Sequence, residues 1–205
     1  MSSLRRIVMF NRVSADGYFA GADGNLDWVV QDEALNEEGA SASRSPGSGT
    51  ILFGRRTYEM FESFWPQFDD EGSSPVPDPH APKASQELRA MATFINDATK
   101  VVFSRTRDQV TWRNSRLVRE LDPHQIEAMK REPGKDMLIF GSGSIVSQLT
   151  EHGLVDEYQF VVSPVLIGRG RSLLDNLSKS VRMHLVEAKT YPTGNVMLRY
   201  EPARS

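Results

Sequence analysis

Three short segments bring together the residue types that hold phosphate: Gly54-Arg55-Arg56-Thr57, Ser104-Arg105-Thr106 and Gly141-Ser142-Gly143-Ser144. Arginine offers a planar fork of donors that matches phosphate oxygens, and serine and threonine add hydroxyl donors. Glycine has no Cβ, so backbone N–H groups can approach an anion closely. Each segment follows a run of apolar residues, ILF, VVF and LIF, that reads as a buried strand. A strand, a small or cationic turn and a helix in that order would set N–H groups at the carboxyl end of a sheet, where ligands of open α/β folds sit.

Three such turns on one sheet edge suit an extended diphosphate. Arg55 and Arg105, with Ser104 and Thr106 flanking the latter, favour NADPH over NADH. Any one segment alone is a capped turn, and either arginine alone is a solvated one; their conjunction points to a cofactor. The GSGS turn departs from the dinucleotide fingerprint of a standard Rossmann unit, because Val146 stands where a third glycine belongs.

The remaining chemistry-bearing residues each fit two roles. Asp16, in the turn-like SADG, could hydrogen-bond a polar substrate or stabilise its own turn, which is the commoner role for Asp. Tyr18 could line a pocket or donate a proton. Trp28 and Trp65 could stack on a flat heterocycle or serve as core and wall residues. The chain has no cysteine, which excludes disulfides, thiolate nucleophiles and Cys-ligated zinc, and its 4 His are scattered without metal-ligand spacing. No metal is expected.

The elements that would position these residues alternate. Leu4 to Val13 reads as a buried strand, and TILF (50–53) as another. Tyr58, Phe61, Phe64 and Trp65 recur at helical spacing until Pro66. A helix marked by Leu88, Met91, Ala92 and Ile95 precedes the strand KVVFS (100–104), and a short strand is expected near 116–118. Asp122 and Pro123 cap and open a further helix. DMLIF (136–140) then leads into a helix burying Ile145, Val146 and Leu149. The β-rich stretch 158–166 and two strands, 181–191 and 196–200, around Pro192-Thr193-Gly194-Asn195 finish the chain. The Gly/Ser/Pro-rich GASASRSPGSG (39–49) reads as a flexible connection, and the acidic, proline-rich 66–82 as a long loop, either a lid or a surface excursion.

The pattern implies an α/β fold: a mixed, mostly parallel sheet flanked by helices on both faces, with an antiparallel C-terminal hairpin. With 205 residues, 39% hydrophobic and 25% charged, a single domain over 1–205 is expected. A net charge of −3 and the absence of a basic run argue against nucleic acid and anionic membranes. MSSLRRIVMF is too short an apolar stretch for a secretory signal, and FVVSPVLIG (160–168) is too short to span a bilayer, so a cytoplasmic protein is expected.

SADGYFAG (14–21), FGRRTYEMF (53–61), KVVFSRT (100–106) and IFGSGSIVSQL (139–149) together resemble the dihydrofolate-reductase-like superfamily. HGLVDEYQFVVSPVLIGRGRSLL (152–174) is similar to the C-terminal reductase domain of the bifunctional riboflavin-biosynthesis deaminase-reductase and its stand-alone relatives.

The resemblance implies NADPH as cofactor. It implies Gly54, Arg55 and Thr57 at the diphosphate, Ser104 and Arg105 at the adenosine ribose phosphate, and Gly141, Ser142, Gly143, Ser144, Ile145 and Val146 across diphosphate and nicotinamide. Phe19 and Ala20 would border the nicotinamide. The implied reaction is hydride transfer from NADPH to a heterocyclic, ribosylamino-pyrimidine or pteridine-like substrate. Dihydrofolate reduction and a non-catalytic nucleotide-binding role are the alternatives. By the same resemblance Asp27 is the nearest candidate for the carboxylate that serves the pterin in folate reductases, and a homodimer is expected, with FVVSPVLIG and the terminal hairpin as its interface. The deaminase half would need Cys ligands that this chain lacks.

Overall fold

The computed structural model describes residues 4–43, 49–68, 86–175 and 177–203. In chain order the elements are β1 (Ile7–Ser14), β2 (Tyr18–Gly21), α1 (Glu33–Ser43), β3 (Thr50–Gly54), α2 (Arg55–Phe64), a 3₁₀ turn (Trp65–Phe68), α3 (Gln86–Asp97), β4 (Thr99–Phe103), β5 (Ser115–Val118), α4 (Pro123–Arg131), β6 (Met137–Phe140), α5 (Gly143–Glu151), β7 (Glu157–Ser163), β8 (Gly170–Ser172), β9 (Met183–Thr190) and β10 (Val196–Pro202).

Eight strands form one sheet in the order β5-β4-β3-β6-β1-β7-β10-β9. The pairs from β5 to β7 are parallel, and β10 runs antiparallel to both β7 and β9. The sheet is therefore mixed and mostly parallel, with the expected C-terminal hairpin at its edge. β2 and β8, four and three residues long, pair separately as a small antiparallel ribbon.

Period-two alternation decides which helix each strand side chain meets. On one face Ile7 and Met9 of β1, Leu52 of β3 and Met137 and Ile139 of β6 pack with Ile126 of α4 and Ile145, Val146 and Leu149 of α5. On the other, Ile51 and Phe53 of β3 and Val102 of β4 pack with Tyr58 of α2, Ile95 of α3 and Trp112. Asp122 caps α4 by accepting from His124 N at 2.9 Å, as its Asp-Pro start requires.

Lys100 is fully buried on β4, where its Nζ donates to the carbonyls of Asn96, Ala98 and Arg113 at 2.8, 2.9 and 3.1 Å. The ammonium thus satisfies the C-terminal carbonyls of α3 and also lies 4.4 Å from the Trp112 ring centre.

Three expectations change. The segment from Gly39 to Ser43 is the end of α1 rather than a connection, while 44–48 lies outside the described residues. Of the long loop, Pro66 to Phe68 belong to the 3₁₀ turn, and 69–82 lies outside the described residues. β7, which carries Phe160 to Ser163, is bonded to β1 on one side and β10 on the other, so FVVS fills this chain's own sheet and offers no free edge.

Candidate active-site cleft

A cleft of about 1130 Å³ opens over the carboxyl ends of β1, β3, β4 and β6. The turns that leave β3, β4 and β6 form one side of it. All three phosphate-suited segments therefore reach the same cleft: Gly54, Arg55, Arg56 and Thr57, then Ser104, Arg105 and Thr106, then Gly141 to Ser144.

The β3–α2 and β6–α5 turns are joined by one side chain. Ser142 Oγ accepts the Gly54 N–H at 2.8 Å, and Ser142 is 6% exposed. Its backbone is left-handed, with φ +61°, directly after Gly141 at φ +59°. Two consecutive left-handed residues turn the chain sharply enough to start α5 over the sheet edge. The Ser142 carbonyl then accepts from Ile145 N at 2.8 Å and Val146 N at 3.0 Å. The first two amides of α5, at Gly143 and Ser144, lie ahead of that ladder and face the cleft end of the helix.

The glycines also answer to protein packing. A Cβ on Gly141 would lie 3.3 Å from Thr57, and one on Gly143 would lie 3.3 Å from the Phe19 ring and 3.2 Å from the Leu173 carbonyl. Phe19 and Ala20 of the β2 ribbon thereby close the cleft beside the start of α5.

On the third turn, Ser104 is 7% exposed, and its Oγ accepts from Thr106 N at 3.3 Å and Arg107 N at 3.0 Å, so its hydroxyl serves its own turn. Arg107 ties that turn to α2. Its Nη2 donates to Glu62 at 2.6 Å, and its guanidinium carbon lies 4.9 Å from the Tyr58 ring centre. Glu62 also accepts from Tyr58 Oη at 3.0 Å and Thr111 Oγ1 at 2.9 Å. Partial burial pushes the Glu62 pKa up, but the bonds from Thr111, Tyr58 and Arg107 outweigh that and hold it below its ordinary value. Arg55 pairs with Glu59 at 3.3 Å, whereas Arg56 and Arg105 are exposed and meet no carboxylate among the described residues.

Among the described residues five arginines line the cleft, Arg12, Arg55, Arg56, Arg105 and Arg171, against two carboxylates, Glu151 and Asp175. Glu151 is occupied by Ser178, whose N–H donates to it at 3.0 Å and whose hydroxyl also bonds it. The cleft is electropositive inside a chain of net charge −3.

Part of the cleft wall is aromatic, a feature that residue types and spacing did not reveal. Phe61 of α2 stacks on Phe140 of β6, with centroids 5.9 Å apart at 25°, and Phe10 of β1 meets Phe140 edge-on at 6.1 Å. Met60, Leu26 and Val29 extend this wall. The helical and strand periods that marked these aromatics as buried do not distinguish a core face from a cleft wall.

Seven candidate residues fall elsewhere. Ile145 and Val146 are 3% and 0% exposed, and their side chains belong to the core under the cleft. Asp16 serves its turn and the loop before β8: it accepts from Ser14 Oγ at 2.6 Å, Gly168 N at 2.7 Å and Ile167 N at 3.2 Å. The Ser14 hydroxyl first, then those amides, draw its carboxyl pKa below the ordinary value. Asp27 is exposed and does not line the cleft. Tyr18 packs over Gly170 in the ribbon, and Trp65 packs against Phe61 and Phe64 in the wall of the α2–α3 core. Trp28 is partly buried off the cleft, its Nε1 without a hydrogen-bond partner among the described residues. No group of His, Asp and Glu able to hold a metal occurs among the described residues.

Solved structures share this architecture. A riboflavin biosynthesis protein from Shewanella sp. PV-4 superposes with a TM-score of 0.70 at 22% identity, covering 97% of this chain and 99% of its own. Dihydrofolate reductase from Enterococcus faecalis, solved with NADP(H), gives 0.61 at 13% identity over the whole of both chains. The Thermotoga maritima diaminohydroxyphosphoribosylaminopyrimidine deaminase/5-amino-6-(5-phosphoribosylamino)uracil reductase gives 0.61 at 16%, with 98% of this chain on 57% of that one. At these identities the likeness establishes the fold, which is dihydrofolate-reductase-like.

By sequence, the uncharacterized YyaP of Bacillus subtilis strain 168 is 25% identical over 202 residues, 96% of this chain and 94% of YyaP. The family is decided by the match of residues 5–197, a span that includes all three cleft turns and both strands of the ribbon: this chain belongs to the RibD C-terminal domain family.

Proposed function

We propose that this protein is an NADPH-dependent reductase that transfers hydride to a small heterocyclic, ribosylamino-pyrimidine or pteridine-like substrate. The observation that carries the proposal is the joining of two helix starts, at Gly54 and Gly143, through Ser142 Oγ, beside the arginine-bearing turn at Ser104–Thr106. Helix N-terminal amides and unpaired guanidinium groups around one cleft suit a dinucleotide diphosphate and an additional phosphate. The NADP(H) in the Enterococcus faecalis reductase and the reductase half of the Thermotoga maritima enzyme support the same reading.

Bound there, NADPH would supply the hydride. The chain's own part is to orient: Gly54, Arg55, Thr57 and the amides of Gly143 and Ser144 would hold the diphosphate, Arg105 the adenosine ribose phosphate, and Phe19 and Ala20 the nicotinamide. The aromatic half would exclude water from the acceptor. The partner is a small molecule, the assembly a homodimer and the setting the cytoplasm; no helix among the described residues is long and apolar enough to cross a membrane.

Titration with NADPH and NADH tests this. Saturable NADPH binding at micromolar levels, tighter than NADH, is expected, and no binding of either would refute the cofactor. A second reading, a nucleotide-binding protein without turnover, is favoured by one observation: neither Asp16 nor Asp27 lines the cleft. Absorbance at 340 nm, followed with pteridines, dihydrofolate and ribosylamino-pyrimidines, separates the two, since steady oxidation with any one excludes the second.

A further inference from the structure

Arg12 and Arg171 are the cleft arginines that lie outside the three phosphate-suited turns, and Arg12 is the one beside the aromatic wall. It sits on β1 two residues after Phe10, on the same face of the strand, and lines the cleft with the Phe10–Phe61–Phe140 wall. Its Nη1 donates to the Val30 carbonyl at 3.1 Å and its Nη2 to Asn36 Oδ1 at 3.3 Å. A guanidinium has five N–H donors, so three remain. No carboxylate stands within ion-pair distance of it among the described residues. Burial draws its pKa below the ordinary arginine value, and the charge of Asp32 opposes that shift. A half-buried cation with unused donors beside an apolar wall gains from an acceptor that enters with the ligand.

Among the described residues, the aromatic part of the cleft adds no phosphate-suited turn to Gly54–Thr57, Ser104–Thr106 and Gly141–Ser144, and Arg171 is held against the β2 loop, with Nη2 3.4 Å from the Ala22 carbonyl. Stacked and edge-on aromatic rings favour a flat π-system.

We infer that the substrate half takes a flat, unphosphorylated heteroaromatic ring whose carbonyl or carboxylate edge is read by Arg12. This narrows the reductase proposal and rests on its division of the cleft into cofactor and substrate halves.

Lumazine is a suitable probe, being flat, fluorescent and dicarbonyl, with no phosphate. It is titrated into the full chain with and without NADPH, and ribose 5-phosphate is offered as competitor. Saturable lumazine binding indifferent to ribose 5-phosphate is expected, weakened about ten- to a hundredfold in Arg12→Met. Arg12→Lys, which keeps the charge and loses the planar fork, should bind between the two and carries the comparison if the methionine variant fails to fold by circular dichroism.

Absence of lumazine binding, displacement by ribose 5-phosphate, or affinity unchanged by substitution of Arg12 would overturn the inference. NADPH titrated alone keeps the two claims apart. Arg12-dependent lumazine binding without NADPH binding leaves the ring site and removes the cofactor, while NADPH binding without lumazine binding does the reverse.

Discussion

Ser142 combines a left-handed backbone with a buried hydroxyl that holds the Gly54 amide. Ser142→Ala keeps the unfavourable φ and leaves that amide unpaired, so a loss of about 1–3 kcal/mol is expected by urea denaturation. Ser142→Gly loses the same bond but relieves the φ cost, and should be the less damaging of the two. An alanine variant as stable as wild type would show that the bond between the turns contributes nothing.

Arg105 sits on the same cleft and meets no carboxylate among the described residues. Arg105→Ala should weaken NADPH about ten- to a hundredfold while NADH changes little; equal losses in a binding titration would refute the 2′-phosphate role. Residue types and spacing were enough to single out these turns, which line one cleft, because Gly, Ser and Arg together suit phosphate. They could not reveal Arg12 or the Phe10–Phe61–Phe140 wall. An apolar side chain facing a cleft and one facing a core have the same sequence period, and Arg12 reads simply as a charged residue in a strand.

Among the elements, α2 and the loop from Ser104 to Trp112 are bound through Glu62, which receives Tyr58, Arg107 and Thr111. The folded-state pKa of Glu62 is depressed, so its contribution is fully present above the unfolded value of about 4.3 and is lost as pH falls through the folded value. Glu62→Gln should therefore melt below wild type at pH 7, and the gap should narrow as pH falls below about 4.3. A gap independent of pH would show that the Glu62 charge does not hold this loop.

Long elements with clean periods were legible, down to the Asp122-Pro123 helix start. The β2–β8 ribbon was not, since its strands are four and three residues long and pair across some 150 residues of chain. Helix α1 was obscured for another reason: of its described side chains only Leu35 is buried, and polar bonds hold it in place. Asp32 caps Leu35 N at 3.0 Å, and Glu38 accepts from Tyr191 Oη at 2.8 Å and Lys189 Nζ at 2.5 Å.

For the whole molecule, the alternation of strand and helix announced the mostly parallel sheet, whereas its two edges, β5 and β9, could be assigned only from strand order. Of these, β9 ends the C-terminal hairpin and has Met183, Leu185 and Val186 exposed. The homodimer in our proposal therefore belongs at β9 rather than at β7, and an exposed apolar edge strand is a ready pairing surface. Light scattering should give twice the 23.0 kDa chain mass, and Leu185→Lys should return it to the chain mass. A wild-type monomer at micromolar concentration would contradict the dimer.

The central claim, that the joined turns and the electropositive cleft form an NADPH site, is tested most directly by a crystal structure grown with NADPH. The diphosphate should lie between the Arg55–Thr57 turn and the Gly143–Ser144 amides, the 2′-phosphate at Arg105, and the nicotinamide against Phe19 and Ala20 with one face toward the Phe140 wall. Cofactor seated elsewhere, or a cleft still empty at saturating NADPH, would contradict it.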